Sequence, residues 1–168
     1  YKRQVLSSPS GAGKTSISKK LLLIDKGISL SISCTTRTKR NGEKNKKDYI
    51  FIDKLIFENF IKSNEFIEYA TVFGNKYGTL RKEVEKLFKK KNDVLFDIDW
   101  QGYQQLKQSG LEVVGIFILP PSKKELIKRL KNRGRDTPKE MENRMDLIQD
   151  EISHFPESVS YTHLRAHE

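Results

Sequence analysis

The feature that most constrains this chain is the segment at residues 8–15, which reads Ser-Pro-Ser-Gly-Ala-Gly-Lys-Thr between an apolar stretch and a segment with apolar residues at helical spacing. Gly11 and Gly13 allow backbone N–H groups to turn toward phosphate oxygens, and the following helix adds its partial positive charge. Lys14 is suited to bridging the outer phosphates, and Thr15 supplies a hydroxyl for Mg²⁺. Ser8 stands where the general motif has its first glycine, so the match is to the second half of the motif. The segment predicts a strand, a phosphate-binding loop and a helix, and therefore a chain that binds a nucleoside triphosphate. The predicted loop residues are Ser8, Pro9, Ser10, Gly11, Ala12, Gly13, Lys14 and Thr15.

Composition limits the broad class. A chain of 168 residues with 36% hydrophobic content fits one domain with a buried core. Its longest apolar run, Val113 to Leu119, is too short to cross a bilayer, so we expect a soluble, cytoplasmic protein with no membrane partner. A single cysteine, Cys34, excludes an internal disulfide and a multi-cysteine metal site.

The net charge of +10 is compatible with two functions, the binding of nucleic acid and a pocket for small polyanions. No aromatic-interleaved motif accompanies the lysines, so we favour a solvated surface and expect no nucleic-acid partner.

The order of predicted elements indicates the fold class. Strands are predicted at Leu30 to Ser33, Val94 to Asp99 and Val113 to Leu119, and helices follow them. Thr79 is predicted as a helix N-cap, and Thr137 begins a capping box before a further helix. Since strands and helices alternate, we expect an α/β fold of three layers, with a parallel core sheet and right-handed crossovers.

The region that follows the first strand and helix changes character. Residues 35–47 are polar and basic, and strands are predicted at Tyr49 to Ile52 and Glu65 to Val72. Between them, a helix begun by Asp53 is expected to turn its apolar side chains inward, namely Ile56, Phe57, Phe60 and Ile61. This region therefore predicts a small α+β insertion in the core.

Five segments of the chain resemble the guanylate kinase family in order and spacing, from the phosphate loop to about Glu151. They are Ser33-Cys34-Thr35-Thr36-Arg37-Thr38-Lys39-Arg40-Asn41-Gly42-Glu43, Asp48-Tyr49, Phe66-Ile67-Glu68-Tyr69, Gly74-Asn75-Lys76-Tyr77-Gly78 and Asp97-Ile98-Asp99-Trp100-Gln101-Gly102. The resemblance implies a P-loop nucleoside monophosphate kinase fold and the transfer of a phosphoryl group from ATP to GMP with Mg²⁺. It also implies a core at about 1–32, 80–120 and 146–157, a GMP-binding insertion at about 33–79 and a helical lid at about 121–145.

The family's functional residues carry over onto matching positions of this chain. Those implied to hold the GMP phosphate are Arg37, Arg40, Tyr49 and Tyr77. Those implied to lie at the guanine are Ser33, Glu68, Thr79 and Asp99. Thr15 and Asp97 are implied to support Mg²⁺, and the lid arginines Arg129, Arg133 and Arg144 to close over ATP. Catalysis is assigned to Lys14, Arg37, Arg133 and Arg144.

These assignments are chemically reasonable. Arginine offers a planar fork of donors that matches a phosphate. The carboxylate of Glu68 accepts from both the ring N–H and the amino group of guanine, whereas adenine presents an acceptor at that ring nitrogen. Such a mismatch leaves a buried charge unpaired and discriminates by roughly 10⁴-fold in a dry site.

The C-terminal residues depart from the family's pattern, because members continue into another core strand and a final helix. Residues 158–168 show no such strand pattern, so we expect a non-matching tail, from truncation or a foreign sequence, and Tyr1 suggests a missing start. Two other functions remain open from the sequence: a guanylate-kinase-like binding module without turnover, and a related P-loop kinase with another phosphate acceptor.

Overall fold

The structure, a computed structural model, describes residues 2–133, residues 142, 145, 148 and 152, and residues 160–163. Its strands are β1 (Arg3–Ser7), β2 (Ile28–Ser31), β3 (Cys34–Thr35), β4 (Ile50–Phe51), β5 (Phe66–Val72), β6 (Asn75–Leu80), β7 (Asp93–Asp97), β8 (Val114–Leu119) and β9 (Ser160–His163). Its helices are α1 (Lys14–Ile24), α2 (Lys54–Lys62), α3 (Arg81–Lys89), α4 (Trp100–Gln108) and α5 (Lys123–Arg133). No helix within these residues is long and apolar enough to cross a membrane.

The core sheet has the order β2-β7-β1-β8-β9, and every neighbouring pair is parallel. Successive side chains of a strand point to opposite faces, so Val5 and Leu6 of β1 enter two different apolar clusters. On one face Val5 packs with residues of α3 and α4, including Val84 and Leu106. On the other face Leu6 packs with α5 and with Ile148, which lies in helical backbone. The α/β fold with a parallel sheet between helical layers is thus confirmed.

A second, four-stranded sheet in the order β4-β3-β6-β5 forms the insertion, with α2 packed on it. Asp53 caps α2 as predicted, because its Oδ1 accepts from the backbone N–H of Ile56 at 2.8 Å. Phe57 is fully buried against Cys34 and Phe66, but Ile56 is 40% exposed, so the prediction that Ile56 faces inward was wrong. At the N-terminal turn of α2, Ile56 lies to one side of the narrow face that covers the sheet.

The predicted helix at Thr79 begins later than expected. Thr79 is a fully buried residue of β6, and Leu80 is the residue that precedes α3. β6 itself was not predicted, because the turn that pairs it with β5 is made by Phe73 and Gly74, both at positive φ, and lacks a typical hairpin sequence. The tertiary pairing with β5 therefore outweighs the local preference of Thr79 for a helix N-cap.

The expectation that residues 158–168 lack a strand was also wrong. Ser160–His163 form β9, which pairs in parallel with β8 at the edge of the core sheet. Only these four residues of that segment are described. Its sequence, Ser-Tyr-Thr-His, has no apolar run by which to recognise a strand, and only the pairing with β8 identifies it as one.

Candidate active site

The turn between β1 and α1 has the backbone that a phosphate loop requires. Gly11 and Gly13 have φ of 93° and 110°, a region that side chains other than glycine rarely enter. A Cβ at Gly11 would also lie 3.0 Å from Leu130 Cδ2 of α5, so the loop packs directly under that helix. The loop backbone is closed by the N–H of Ala12, which donates to the carbonyl of Pro9 at 3.1 Å.

Lys14 extends from the loop to the carboxyl end of β7. Its Nζ lies 2.9 Å from Asp97 Oδ1 and donates to the carbonyl of Ile98 at 2.9 Å. Burial alone would lower the pKa of Lys14, but the charge of Asp97 and its hydrogen bond hold that pKa above the usual value. Lys14 is therefore a fixed ammonium group at the point where two parallel strands end, the usual place for a ligand in such a sheet.

One cavity of about 220 Å³ lies between the loop and the insertion. It brings together most of the residues that the sequence assigned to a site. These are Ser8, Pro9, Ser10, Gly11, Gly13, Lys14, Thr15, Ser33, Arg37, Arg40, Tyr49, Glu68, Tyr77, Asp97 and Asp99. Phosphate-loop residues and insertion residues thus face the same space. The transfer of a phosphoryl group from one bound phosphate to another requires such an arrangement.

Arg37 is held in a fixed orientation at one wall of the cavity. Its Nη1 and Nη2 donate to Glu43 Oε2 and Oε1 at 3.0 Å and 2.8 Å, and its guanidinium lies over the rings of Tyr49 and Phe51. Its side chain is 9% exposed, and its Nε is buried with no hydrogen-bond partner in the part of the chain that the structure describes. Burial acts to raise the pKa of Glu43, but the hydrogen bonds from Arg37 and from the N–H of Arg40 hold it below its usual value. Arg37 is therefore a cation already oriented to receive an anion.

Glu68 also lines the cavity. It lies on β5 and is 3% exposed, and its Oε1 is buried with no hydrogen-bond partner among the described residues. Burial raises the pKa of Glu68 to about 7, although hydrogen bonds from Thr79 act in the other direction. A buried carboxylate with an unpaired oxygen is costly unless a ligand supplies donors.

Around Glu68 lie further polar groups. The Ser33 and Thr79 hydroxyl oxygens are 3.4 Å apart. Asp99 caps α4, because its Oδ1 accepts from the Gly102 N–H at 2.9 Å while its Oδ2 accepts from Gln101 Nε2 at 3.1 Å. The cavity is thus lined by cationic donors and by buried carboxylate acceptors, which suits a ligand that has both a phosphate and hydrogen-bond donors.

Comparisons with known proteins agree with this geometry. The guanylate kinase family profile matches residues 1–164. This chain belongs to the guanylate kinase family. A guanylate kinase from Novosphingobium aromaticivorans is 53% identical over 152 residues, which are 90% of this chain and 69% of that protein. A guanylate kinase from Rickettsia bellii is 48% identical over 160 residues, which are 95% of this chain and 82% of that protein. The crystal structure of guanylate kinase from Anaplasma phagocytophilum has a TM-score of 0.76 and 36% identity, and the match covers 98% of this chain and 77% of that one.

The family match extends further than the sequence motifs indicated. The motifs indicate a resemblance that ends at about Glu151, whereas the guanylate kinase profile continues to residue 164 and includes β9. The expectation of a non-matching tail that begins at residue 158 was therefore wrong for residues 158–164.

The predicted lid arginines of this guanylate kinase family member are only partly described. Arg129 on α5 forms an ion pair with Glu125 at 2.9 Å, and its Nη1 lies 3.5 Å from the carbonyl oxygen of Ala12 in the phosphate loop. Arg133 is the last residue of α5, and its side chain lies outside the described part of the chain, as does the whole of Arg144. Ala12, Thr79 and Arg129 do not line the cavity, while Leu130 of α5 does.

Sequence reasoning missed several residues that shape the guanylate kinase cavity. Four of them come from the β5–β6 hairpin, namely Ala70, Val72, Phe73 and Asn75. The alternation of β5 could have indicated Ala70 and Val72, because they share a strand face with Glu68. Glu43 was part of the motif, but nothing in its spacing showed that it holds Arg37.

Proposed function

We propose that this member of the guanylate kinase family, an ATP:GMP phosphotransferase, binds GMP between Arg37 and Glu68 and ATP on the phosphate loop. The observation that carries the assignment is the buried, unpaired Oε1 of Glu68, which lies in the same cavity as the phosphate loop. Guanine offers a ring N–H and an amino group side by side, and these two donors match a carboxylate. Adenine, with an acceptor at that ring nitrogen, would leave the buried charge unpaired.

The phosphate of GMP would lie against the insertion's cation. Arg37 keeps its Nε available because Glu43 engages both terminal nitrogens, so the guanidinium is oriented before the ligand arrives. Arg40, Tyr49 and Tyr77 line the same wall and add donors. Ser33, Thr79 and Asp99 complete the guanine end in this proposal.

ATP would occupy the loop at residues 8–15. Lys14 would exchange its contact with Asp97 for the outer phosphate oxygens of ATP, which offer more negative charge. Arg129, Arg133 and Arg144 are assigned to the lid, and Arg129 already lies beside the loop carbonyl of Ala12.

Mg²⁺ fits the donor set, which consists of the Thr15 hydroxyl and the Asp97 carboxylate, both hard oxygen ligands at the cavity. Among the described residues no three His, Cys, Asp or Glu side chains lie close enough to hold a metal by themselves, which suits an ion that takes its remaining ligands from phosphates and water. When bound, Mg²⁺ would neutralise part of the negative charge of the phosphates. We place the reaction in the cytoplasm, where both nucleotides occur.

In the transfer, an oxygen of the GMP phosphate attacks the terminal phosphorus of ATP, and the bond to the bridging oxygen breaks so that ADP leaves with the electron pair. The nucleophile is already an anion, so no general base is needed. The contribution of the protein is alignment by Arg37 and Glu68 and charge stabilisation by Lys14 and the lid arginines.

The experiment is ADP formation from ATP and Mg²⁺ with GMP, AMP, CMP and UMP as separate acceptors. We expect turnover with GMP alone. Equal turnover with AMP would contradict the guanine assignment of Glu68, and nucleotide binding without turnover in a folded sample would contradict the proposed catalytic arrangement.

A further inference from the structure

Helix α4 lies against β5, the strand that carries Glu68. Two residues of α4, Gly102 and Gln105, contact β5. Among the described strands, β5 is the edge strand of the insertion sheet, so one of its two edges has no strand partner there. Gln105 of α4 takes that place at Tyr69, the residue after Glu68. The Tyr69 N–H donates to Gln105 Oε1 at 3.0 Å, and Gln105 Nε2 donates to the Tyr69 carbonyl at 2.7 Å. One side-chain amide thus satisfies both backbone groups of a single residue.

Gly102 lies one turn before Gln105, where the helix backbone meets the carboxylate of Glu68. A Cβ at Gly102 would overlap Glu68 Oε2 and would lie 3.1 Å from both Glu68 Cδ and Ile98 Cδ1. Gly102 itself is fixed, because its N–H donates to Asp99 Oδ1 at 2.9 Å. The φ of Gly102 is not in the positive region, so close approach rather than backbone conformation accounts for the glycine.

Gly102 lies against the Glu68 carboxylate itself, and Gln105 binds the backbone of the next residue, Tyr69. Gln105 fixes the position of β5 relative to α4 through these hydrogen bonds. Gly102, which has no side chain, leaves the space that the Glu68 carboxylate occupies. The atom that a Cβ would displace is the end of a flexible side chain, so the carboxylate can move without loss of the fold. A small displacement is nevertheless enough to misalign a pair of hydrogen bonds, whose strength depends steeply on distance and angle.

We propose that Gly102 and Gln105 are positioning residues for Glu68, and that through it they determine the selectivity of this enzyme for guanine. The proposal rests on the proposed function, in which Glu68 accepts from the ring N–H and the amino group. Neither residue lines the cavity, so each acts through Glu68 and not by contact with the nucleotide.

The test compares GMP with IMP, which keeps the ring N–H but lacks the amino group. The preference for GMP over IMP, as a ratio of kcat/KM values, reports the second hydrogen bond to Glu68, and it does not depend on the fraction of folded enzyme. A hydrogen bond to a charged group contributes about 10- to 100-fold to such a ratio. We expect Gly102→Ala to lower the ratio by about 10-fold, mainly through KM for GMP, with KM for ATP unchanged.

Gln105→Ala tests the second contact without adding an atom, and we expect a smaller decrease, about 3-fold, in the same ratio. Gln105→Glu keeps the acceptor for the Tyr69 N–H, so it should recover part of the ratio. The matched control is Gln108→Ala, an exposed glutamine at the end of the same helix, for which the ratio should equal that of the unmodified enzyme.

Glu68→Gln separates this inference from the proposed function. If that substitution alone leaves the GMP-to-IMP ratio unchanged, the proposed role of Glu68 is wrong. If it reduces the ratio while Gly102→Ala and Gln105→Ala leave it unchanged, the positioning role is overturned. In the Glu68→Gln background, Gly102→Ala should lower the ratio no further, and a further decrease of the same size would show that Gly102 acts by another route.

Discussion

The phosphate loop and the acceptor pocket share one cavity, but they are built in different ways. The loop is a contiguous segment whose shape follows from two glycines and a helix N-terminus, and its cation, Lys14, is paired with Asp97. The acceptor pocket draws Arg37 and Glu68 from separate parts of the insertion, and each has a buried polar atom with no partner among the described residues. The cation of the loop is thus paired within the protein, whereas the two residues of the acceptor pocket keep polar atoms that a ligand can satisfy.

The largest expected effect tests the loop side of this comparison. Lys14→Ala should lower kcat by about 10³-fold or more, because the charge on the transferring phosphoryl group loses its fixed cation. Steady-state ADP formation measures it, and GMP binding by calorimetry should change little. Lys20→Ala, an exposed lysine of α1, is the matched control. A rate like that of the unmodified enzyme would remove the loop from the mechanism.

A substitution at the guanine end of the acceptor pocket should affect the use of GMP and not the binding of ATP. Glu68→Gln should lower kcat/KM for GMP by about 10² to 10³-fold, because an amide cannot accept from both guanine donors, while ATP binding should be unaffected. Glu65→Gln, an exposed glutamate near the start of β5, should have no effect. Equal losses for GMP and ATP would mean that Glu68 supports the whole cavity and does not read the base.

The phosphate end of the acceptor pocket should show a smaller effect. Arg37→Ala should raise KM for GMP by about 30-fold, since the positive charge and a charge-assisted hydrogen bond to the phosphate are lost. Glu43→Gln should raise it less, because the guanidinium stays but loses its orientation. Exposed Lys39→Ala serves as the control for charge alone. An unchanged dependence on GMP concentration in Arg37→Ala would argue against a phosphate clamp.

The last effect does not concern catalysis but stability and its dependence on pH. The pKa of Glu68 rises from 4.5 to about 7 in the folded protein, so between these values the folded state binds more protons than the unfolded state. The free energy of unfolding should therefore fall as pH rises from 4.5 to 7, by about 3 kcal/mol from this residue, and stay constant above that range.

Glu68→Gln should remove this contribution to the pH dependence. Urea unfolding at pH 5 and pH 8 measures it, and at pH 8 the variant should be more stable than the unmodified protein by about 1 to 3 kcal/mol. The same pH dependence in the variant and in the unmodified protein would show that the carboxylate is not buried as an unpaired charge.

Some of these features were predictable because the signals are local. The strand, glycine turn and helix at residues 3–24, the parallel strands and the cap at Asp53 follow from residues that are adjacent or one turn apart, and the structure confirms them. The elements that were missed depend on partners elsewhere. Asn75–Leu80 is a strand because β5 lies beside it, and Ser160–His163 because β8 does.

The sequence by itself determined an α/β framework in which a strand, a glycine-containing loop at residues 8–13 and a helix follow one another, and its motifs indicated the family. Only the tertiary structure decided that Glu43 orients Arg37, and that Gly102 and Gln105 lie against the strand of Glu68. The physical reason is the distance along the sequence over which each interaction acts. Backbone geometry and helix capping act within a few residues, whereas the pairing of side chains far apart in the sequence is fixed only when the sheets and helices pack.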